Sequence, residues 1–146
     1  MIKESYNCFD FNDKTEFFFA SEGSQGRILK GIAFTYIENN LWNLAFGDVN
    51  HGDIDDSVIS NNHDIVKLIS TIAKVVYDFS NEYPLRHILI QPVDEKRKKL
   101  YNHVFRRNYS DINLVFHITG LIEDNEEDYL PEKFYDKFKL KRKFVK

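Results

Sequence analysis

Apolar and polar positions alternate along the first 50 residues in short runs separated by turn residues. Tyr6, Cys8, Phe9 and Phe11 mark a first strand, and Asn12-Asp13 turns the chain. Thr15–Ala20 (TEFFFA) is a strand too apolar to have a fully wet face. The polar stretch SEGSQGR, residues 21–27, separates it from Leu29–Ile37 (LKGIAFTYI), where Ile32, Phe34 and Tyr36 share a face. Asn39-Asn40 turns the chain again, and Leu41–Val49 (LWNLAFGDV) alternates Trp42, Leu44 and Phe46. These four runs predict a hairpin-connected meander. After a long polar stretch over 50–64 the period changes. Ile65, Leu68, Ile69, Ile72, Val75, Val76 and Phe79 form a 3.6-residue stripe, so a helix is expected there, capped by Asn62 or Asp64 and stopped by Pro84.

The second half repeats the contrast. Arg86–Val93 (RHILIQPV) reads as a short strand closed by Pro92. Asp94 caps a second helix from Glu95 to about Asn108, with Leu100, Tyr101, Val104 and Phe105 on its apolar side and Lys96, Lys98, Lys99 and Arg106 opposite. Ile112–Ile122 reads as a strand, followed by the acidic turn EDNEED. In the tail, Phe138, Leu140, Arg142 and Phe144 alternate with Lys139, Lys141 and Lys143. Period two predicts a last strand, and alternating lysines are one way to protect an exposed edge. The expected fold is α+β: a mostly antiparallel, twisted sheet with two amphipathic helices in the order β-β-β-β-α-β-α-β-β, forming one domain over residues 1–146.

Composition adds constraints. The chain has 146 residues, 42% hydrophobic and 15% aromatic, which suits one packed core. The single cysteine, Cys8, excludes an internal disulfide and any multi-cysteine metal site, and a packing role is expected for it. The start, MIKESYNCFDF, has no apolar core of a signal peptide. No run approaches the roughly 18 apolar residues that cross a membrane. The expected location is the cytoplasm, with no membrane partner.

Formal net charge is −3, unevenly spread. Residues 1–60 hold 4 basic and 10 acidic groups, and 110–132 hold 7 acidic and no basic groups. Residues 94–109 carry 6 basic against 2 acidic groups, and residues 133–146 carry 7 against 1. These late basic segments can attract an anion or nucleic acid, or can be solvated faces.

From the third strand onward the predicted order is similar to the core of the GCN5-related acetyltransferase (GNAT) fold, in which a meander leads into a long helix, a strand, a second helix and a final hairpin. Arg97-Lys98-Lys99-Leu100-Tyr101, continuing to Val104-Phe105, resembles that fold's late helix. The resemblance implies that Tyr101 could act as general acid on a departing thiolate. Across most of the chain, Ser21–Ile28, Asn43–Asp48, Gly52–Asn62, Tyr83-Pro84, Arg97 and Leu100-Tyr101 resemble a bacterial domain of unknown function common in Bacteroidetes. That likeness implies no particular reaction.

Acetyltransferases hold the acyl-CoA diphosphate on a glycine-rich turn and a helix N-terminus. The corresponding stretch here, SVISNNHDIVK (residues 57–67), has no glycine, and Asp53, Asp55, Asp56 and Asp64 surround it. Carboxylates there favour the helix dipole and repel phosphate. The balance leans against an enzyme, and no cofactor is expected. Asp48, His51, Asp53, Asp55 and Asp56 form a weak candidate group for a hard cation, but an EF-hand register fails because Gly52 falls on a ligand position and Ile59 replaces the bidentate acid. His51, His63, His87, His103 and His117 show no zinc spacing. Arg27, in SEGSQGR, could complete a small anion nest, although a hairpin turn explains that segment more simply. Arg97 and Tyr101, one turn apart on a helix, are the remaining ligand-binding candidates.

Three functions stay open: a non-catalytic binding or regulatory domain on a GNAT-like scaffold, a divergent acyl-CoA-dependent N-acyltransferase using Tyr101, and a nucleic-acid-associated protein using the late basic segments. A second copy of the chain, as a homodimer, is also open as a partner.

Overall fold

A computed structural model describes residues 4–56 and 60–144. It is an α+β structure with mostly antiparallel strand pairing and three helices. Two compact units divide the chain: residues 1–35 with 44–82, and residues 36–43 with 83–146. The chain start and Ser57–Ile59, which belong to the glycine-free stretch and to the Gly52–Asn62 segment, lie outside the described residues.

The first unit contains β1 (Phe9–Phe11), β2 (Glu16–Gly23), most of β3 (Gly26–Glu38) and β4 (Leu41–Asn50), β5 (Asp53–Asp55) and α1 (Ile65–Glu82). Strands β1 to β4 lie side by side in chain order, and β5 pairs back on β4. Period two places Phe17, Phe19, Ile32, Phe34, Leu44 and Phe46 inward, where the α1 stripe of Leu68, Val75, Val76 and Phe79 covers them. The Phe34 and Phe79 rings stack at 3.8 Å. Bulky rings on alternate strand positions facing a helical stripe are the hydrophobic reason for this two-layer packing.

The hairpin turn expected over residues 21–27 is present, and the stretch 50–64, expected as a loop, is more ordered. The polar residues 21–27 are a tight hairpin: β2 runs to Gly23, β3 starts at Gly26, and Gly26 takes φ +83°, a conformation cheap only for glycine. Residues 50–64 are not one loop, because His51 and Gly52, both at positive φ, turn the chain into β5.

The second unit contains the β3–β4 hairpin tip, β6 (His87–Ile90), α2 (Glu95–Arg107), α3 (Tyr109–Val115), β7 (Phe116–Ile122), β8 (Asn125–Asp128) and β9 (Lys137–Arg142). Its strands lie in the order β6-β9-β7-β8. At the hairpin tip Asn39 and Asn40 both take positive φ. Asn40 O accepts from His87 N–H, and Gln91 Nε2 donates to Asn43 Oδ1. Asp94 caps α2 by accepting from Arg97 N–H at 2.8 Å, as expected. Phe105 of α2 stacks on Phe138 of β9 at 4.2 Å.

Here three expectations are corrected. Ile112–Ile122 is not one strand: its first residues belong to α3, and β7 begins at Phe116. The apolar alternation at 112, 114, 116 and 118 imitates a strand, but Ile112 N–H bonds Asn108 O and closes a helical turn, leaving Leu114 76% exposed. The acidic stretch after β7 is not only a turn, since Asn125–Asp128 pairs with β7. Finally, β9 is no edge. It pairs with β6 on one side and β7 on the other. Its lysines instead meet acids: Lys137 pairs with Asp124 at 2.9 Å, and Lys139 pairs with Glu126.

Gly120 of β7 lets the fully buried Tyr135 ring lie against the backbone, where any Cβ would overlap ring atoms. Tyr135 is held by Asn102, whose side chain bonds both its N–H and its C=O at 2.8 Å. Gly120→Ala is therefore expected to destabilise the protein by about 1–3 kcal/mol, the usual cost of overpacking, read as a lower urea midpoint at unchanged slope.

Candidate functional site

A buried polar cluster in the first unit gathers segments that lie far apart in sequence. Lys30 falls on the same strand parity as Ile32 and Phe34, and Asp48 on the same parity as Leu44 and Phe46, so alternation points both charges into the core. Lys30 is 0% exposed and donates to Asp48 Oδ1 at 2.6 Å. Its ammonium also donates to Ser60 O at 3.0 Å. Ser60 completes the group, its hydroxyl donating to Asp48 Oδ2 at 2.5 Å and its N–H to the same carboxylate at 3.1 Å. Burial alone would raise the Asp48 carboxyl. The hydrogen bonds from Lys30 and Ser60 outweigh it and hold the carboxyl below the usual carboxylate range.

A second group lies along the same segment. The Asn62 side chain donates to Gly26 O at 2.9 Å and Ser21 Oγ at 3.1 Å, and accepts from Gln25 N–H at 2.7 Å. Its carbonyl accepts from Ser24 N–H at 3.2 Å. The approach is close enough that a Cβ at Gly23 would overlap that carbonyl. Asp64 takes hydroxyl hydrogen bonds from Ser21 and Tyr6, both at 2.6 Å, through Oδ2. Its other oxygen, Oδ1, is buried with no hydrogen-bond partner. The expected cap is thus only partly realised: the Asp64 carbonyl accepts from Leu68 N–H, while its carboxylate points at β2 and Tyr6. Tyr6 is raised above the usual phenol range, by burial first and then by Asp64.

A depression of about 460 Å³ opens beside this cluster at the start of α1, lined by Glu4, His63, Asp64, Ile65, Val66 and Lys67. His63, at φ +57°, hydrogen-bonds Ser24 through Nδ1. No carboxylate among the described residues meets its other ring nitrogen, so the pair lacks the third group that orients a nucleophile's base.

The residues singled out from the sequence are divided between the two units. Arg27 is exposed on β3, 3.6 Å from Glu22. Arg97 is buried on α2, with Nε 3.8 Å from Asp94, and Tyr101 is half-buried one turn further on. Asp48 faces Lys30, whereas Asp53 and Asp55 lie on β5 and Asp56 just beyond it. Among the described residues no three His, Cys, Asp or Glu side chains are placed to share a metal ion. Cys8 precedes β1, and burial pushes its thiol up to about 11, away from the reactive thiolate.

Lys30, Ser21 and Tyr6 were not singled out in the sequence as site residues, and Asn62 only as a possible helix cap. A usable signal existed for the first: a lysine and an aspartate of opposite charge, each at a core-facing position on neighbouring strands.

Lys30→Met is expected to cost about 3–5 kcal/mol by leaving a buried carboxylate unpaired, and a Lys30→Met/Asp48→Leu double variant to recover most of it; urea unfolding measures both. Because the Asp48 carboxyl is held low, its stabilisation is complete above the unfolded value and is lost as pH falls through the folded one. Wild-type stability should therefore drop more steeply below about pH 4 than that of Asp48→Asn, measured by unfolding across an acid series.

No helix among the described residues is long and apolar enough to cross a membrane. No curated protein and no solved structure matches the chain. A family match covers residues 2–143, nearly the whole length, and the chain belongs to that family, described as a family of unknown function (DUF6934).

Proposed function

We propose that residues 1–146 form a single, non-catalytic binding or regulatory domain on a GNAT-like scaffold, acting in the cytoplasm. The scaffold reading is supported by the succession of a strand meander, α1, β6, α2 and a final antiparallel pair. Within the second unit, the contacts of Asn40 with His87 and of Asn43 with Gln91 also set β6 running in the direction of the chain at Asn40–Asn43. Helix α3 and strands β5 and β8 are additions to that order.

One observation carries the non-catalytic reading. The segment before α1, where a GNAT enzyme cradles a diphosphate, is bonded to the protein itself. Asn62 is spent on the β2–β3 hairpin, Ser60 on Asp48, and the half-buried Asp64 carboxylate stands at the helix start with Glu4 beside the same depression. A diphosphate there meets like charge from Asp64 and Glu4.

The nucleic-acid reading loses much of its charge to internal pairing. Lys98 pairs with Asp136, Lys133 with Glu127, Lys137 with Asp124 and Lys139 with Glu126, so the acidic stretch after β7 neutralises much of the basic tail.

Acetyl-CoA should leave the backbone amide NMR signals of Asn61 to Lys67 unmoved and should release no free thiol in the presence of amine acceptors. Saturable movement of those amides, with thiol release abolished by Tyr101→Phe, would instead establish the divergent acyltransferase.

A further inference from the structure

In the second unit, three cationic or ionisable side chains line up across neighbouring strands. His117 of β7 is paired directly with Lys141 of β9, and the pairing of Ile88 with Leu140 places His87, at the start of β6, opposite Lys141 from the other side. All three alternate with the buried Ile88, Leu140 and Ile118, so they share the face opposite the Phe105–Phe138 stack. Lys141 and His117 are exposed, and His87 is half-buried. Cross-strand neighbours stand about 5 Å apart, so the row spans about 10 Å.

The row is set apart by its missing counter-charge. Along β9, Lys137 and Lys139 each have an acidic partner, and Lys143 donates to the Asn113 carbonyl. Among the described residues, Lys141, His87 and His117 have none. Burial, then Lys141 and Lys139, push His87 below the usual imidazole range. An anion is what such a row lacks.

We propose that His87, Lys141 and His117 form a binding site for a phosphoryl dianion, carried on a small phosphate monoester or diphosphate. A dianion accepts charge-assisted hydrogen bonds from the central ammonium and from imidazole N–H groups on either side. A polyanion fits less well. Asp128 lies opposite Thr119, two residues along β7 from His117 and on the same face. This acid bounds the basic row on one side and disfavours an extended phosphate backbone. The site lies wholly on the sheet of the second unit and does not depend on the reading of the α1 entrance.

The test uses the full chain and the ring signals of its five histidines, followed by NMR while inorganic phosphate, and separately diphosphate, replaces chloride at constant ionic strength. The expected result is saturable movement of His87 and His117 with the same dissociation constant, while His51, His63 and His103 stay still. Lys141→Gln, a surface change, should weaken that response by about tenfold or more, the worth of one hydrogen bond to a charged group, without altering the unfolding midpoint. Equal small movements of all five rings, no saturation, or an undiminished response in Lys141→Gln would overturn the proposal. Binding of a single-stranded oligonucleotide without any response to phosphate or diphosphate would overturn it too. Because acetyl-CoA also carries phosphates, the histidine rings report this site and the amides of Asn61 to Lys67 report the α1 entrance, so failure of either is seen separately.

Discussion

The contact between the Lys30 ammonium and the Asp48 carboxylate fixes the geometry of the first unit. Neither charge can reach bulk water from the core side of β3 and β4, so each depends on the other and on Ser60. Such a pair adds little net stability over an apolar substitute, but it allows one arrangement. The strands must be in register, and the segment entering α1 must pass where Ser60 can close the carboxylate's remaining valences. Once Ser60 is placed, Asn62 falls on the β2–β3 hairpin and Asp64 between Ser21 and Tyr6. The polar cluster is thus a chain of consequences from one buried ion pair.

That dependence explains what the sequence disclosed and what it hid. Strong periodicity located α1, α2, β2, β3, β4, β6 and β9, because their apolar positions serve directly as the core. The boundary between α3 and β7 was hidden because Ile112 and Leu114 continue the alternation of Phe116 and Ile118, while the helical turn closes through backbone bonds that carry no side-chain signature. The internal place of β9 was hidden for a different reason. Lysines alternating along a strand read as edge protection until the acids that neutralise them, 13 positions earlier for both Lys137 and Lys139, are known to lie across the sheet. Polar residues such as Asn62 and Asn102 look like loop or solvent-facing positions in sequence, yet both are buried because each satisfies backbone groups of a remote turn.

The family resemblance read from the sequence takes on physical content here. Ser21, Asp48 and Asn62 come from three separate resembling segments, and all three belong to the polar cluster. By contrast, Arg97 and Tyr101 sit on α2 of the second unit and take no part in those bonds. The chain's most sequence-like motif and its most constrained chemistry are therefore different places.

The placement of β9 also governs how the second unit comes into being. Among the described residues its neighbours β6 and β7 are not bonded to each other across the sheet, so β9 is the keystone between them, although it follows both in the chain. Until it arrives, β6 waits about fifty residues with Ile88 and Leu89 unshielded on that side. Non-local closure of this kind is slow, which makes the interval between synthesis of β6 and of β9 the period when this half of the protein is most exposed to aggregation and to chaperones.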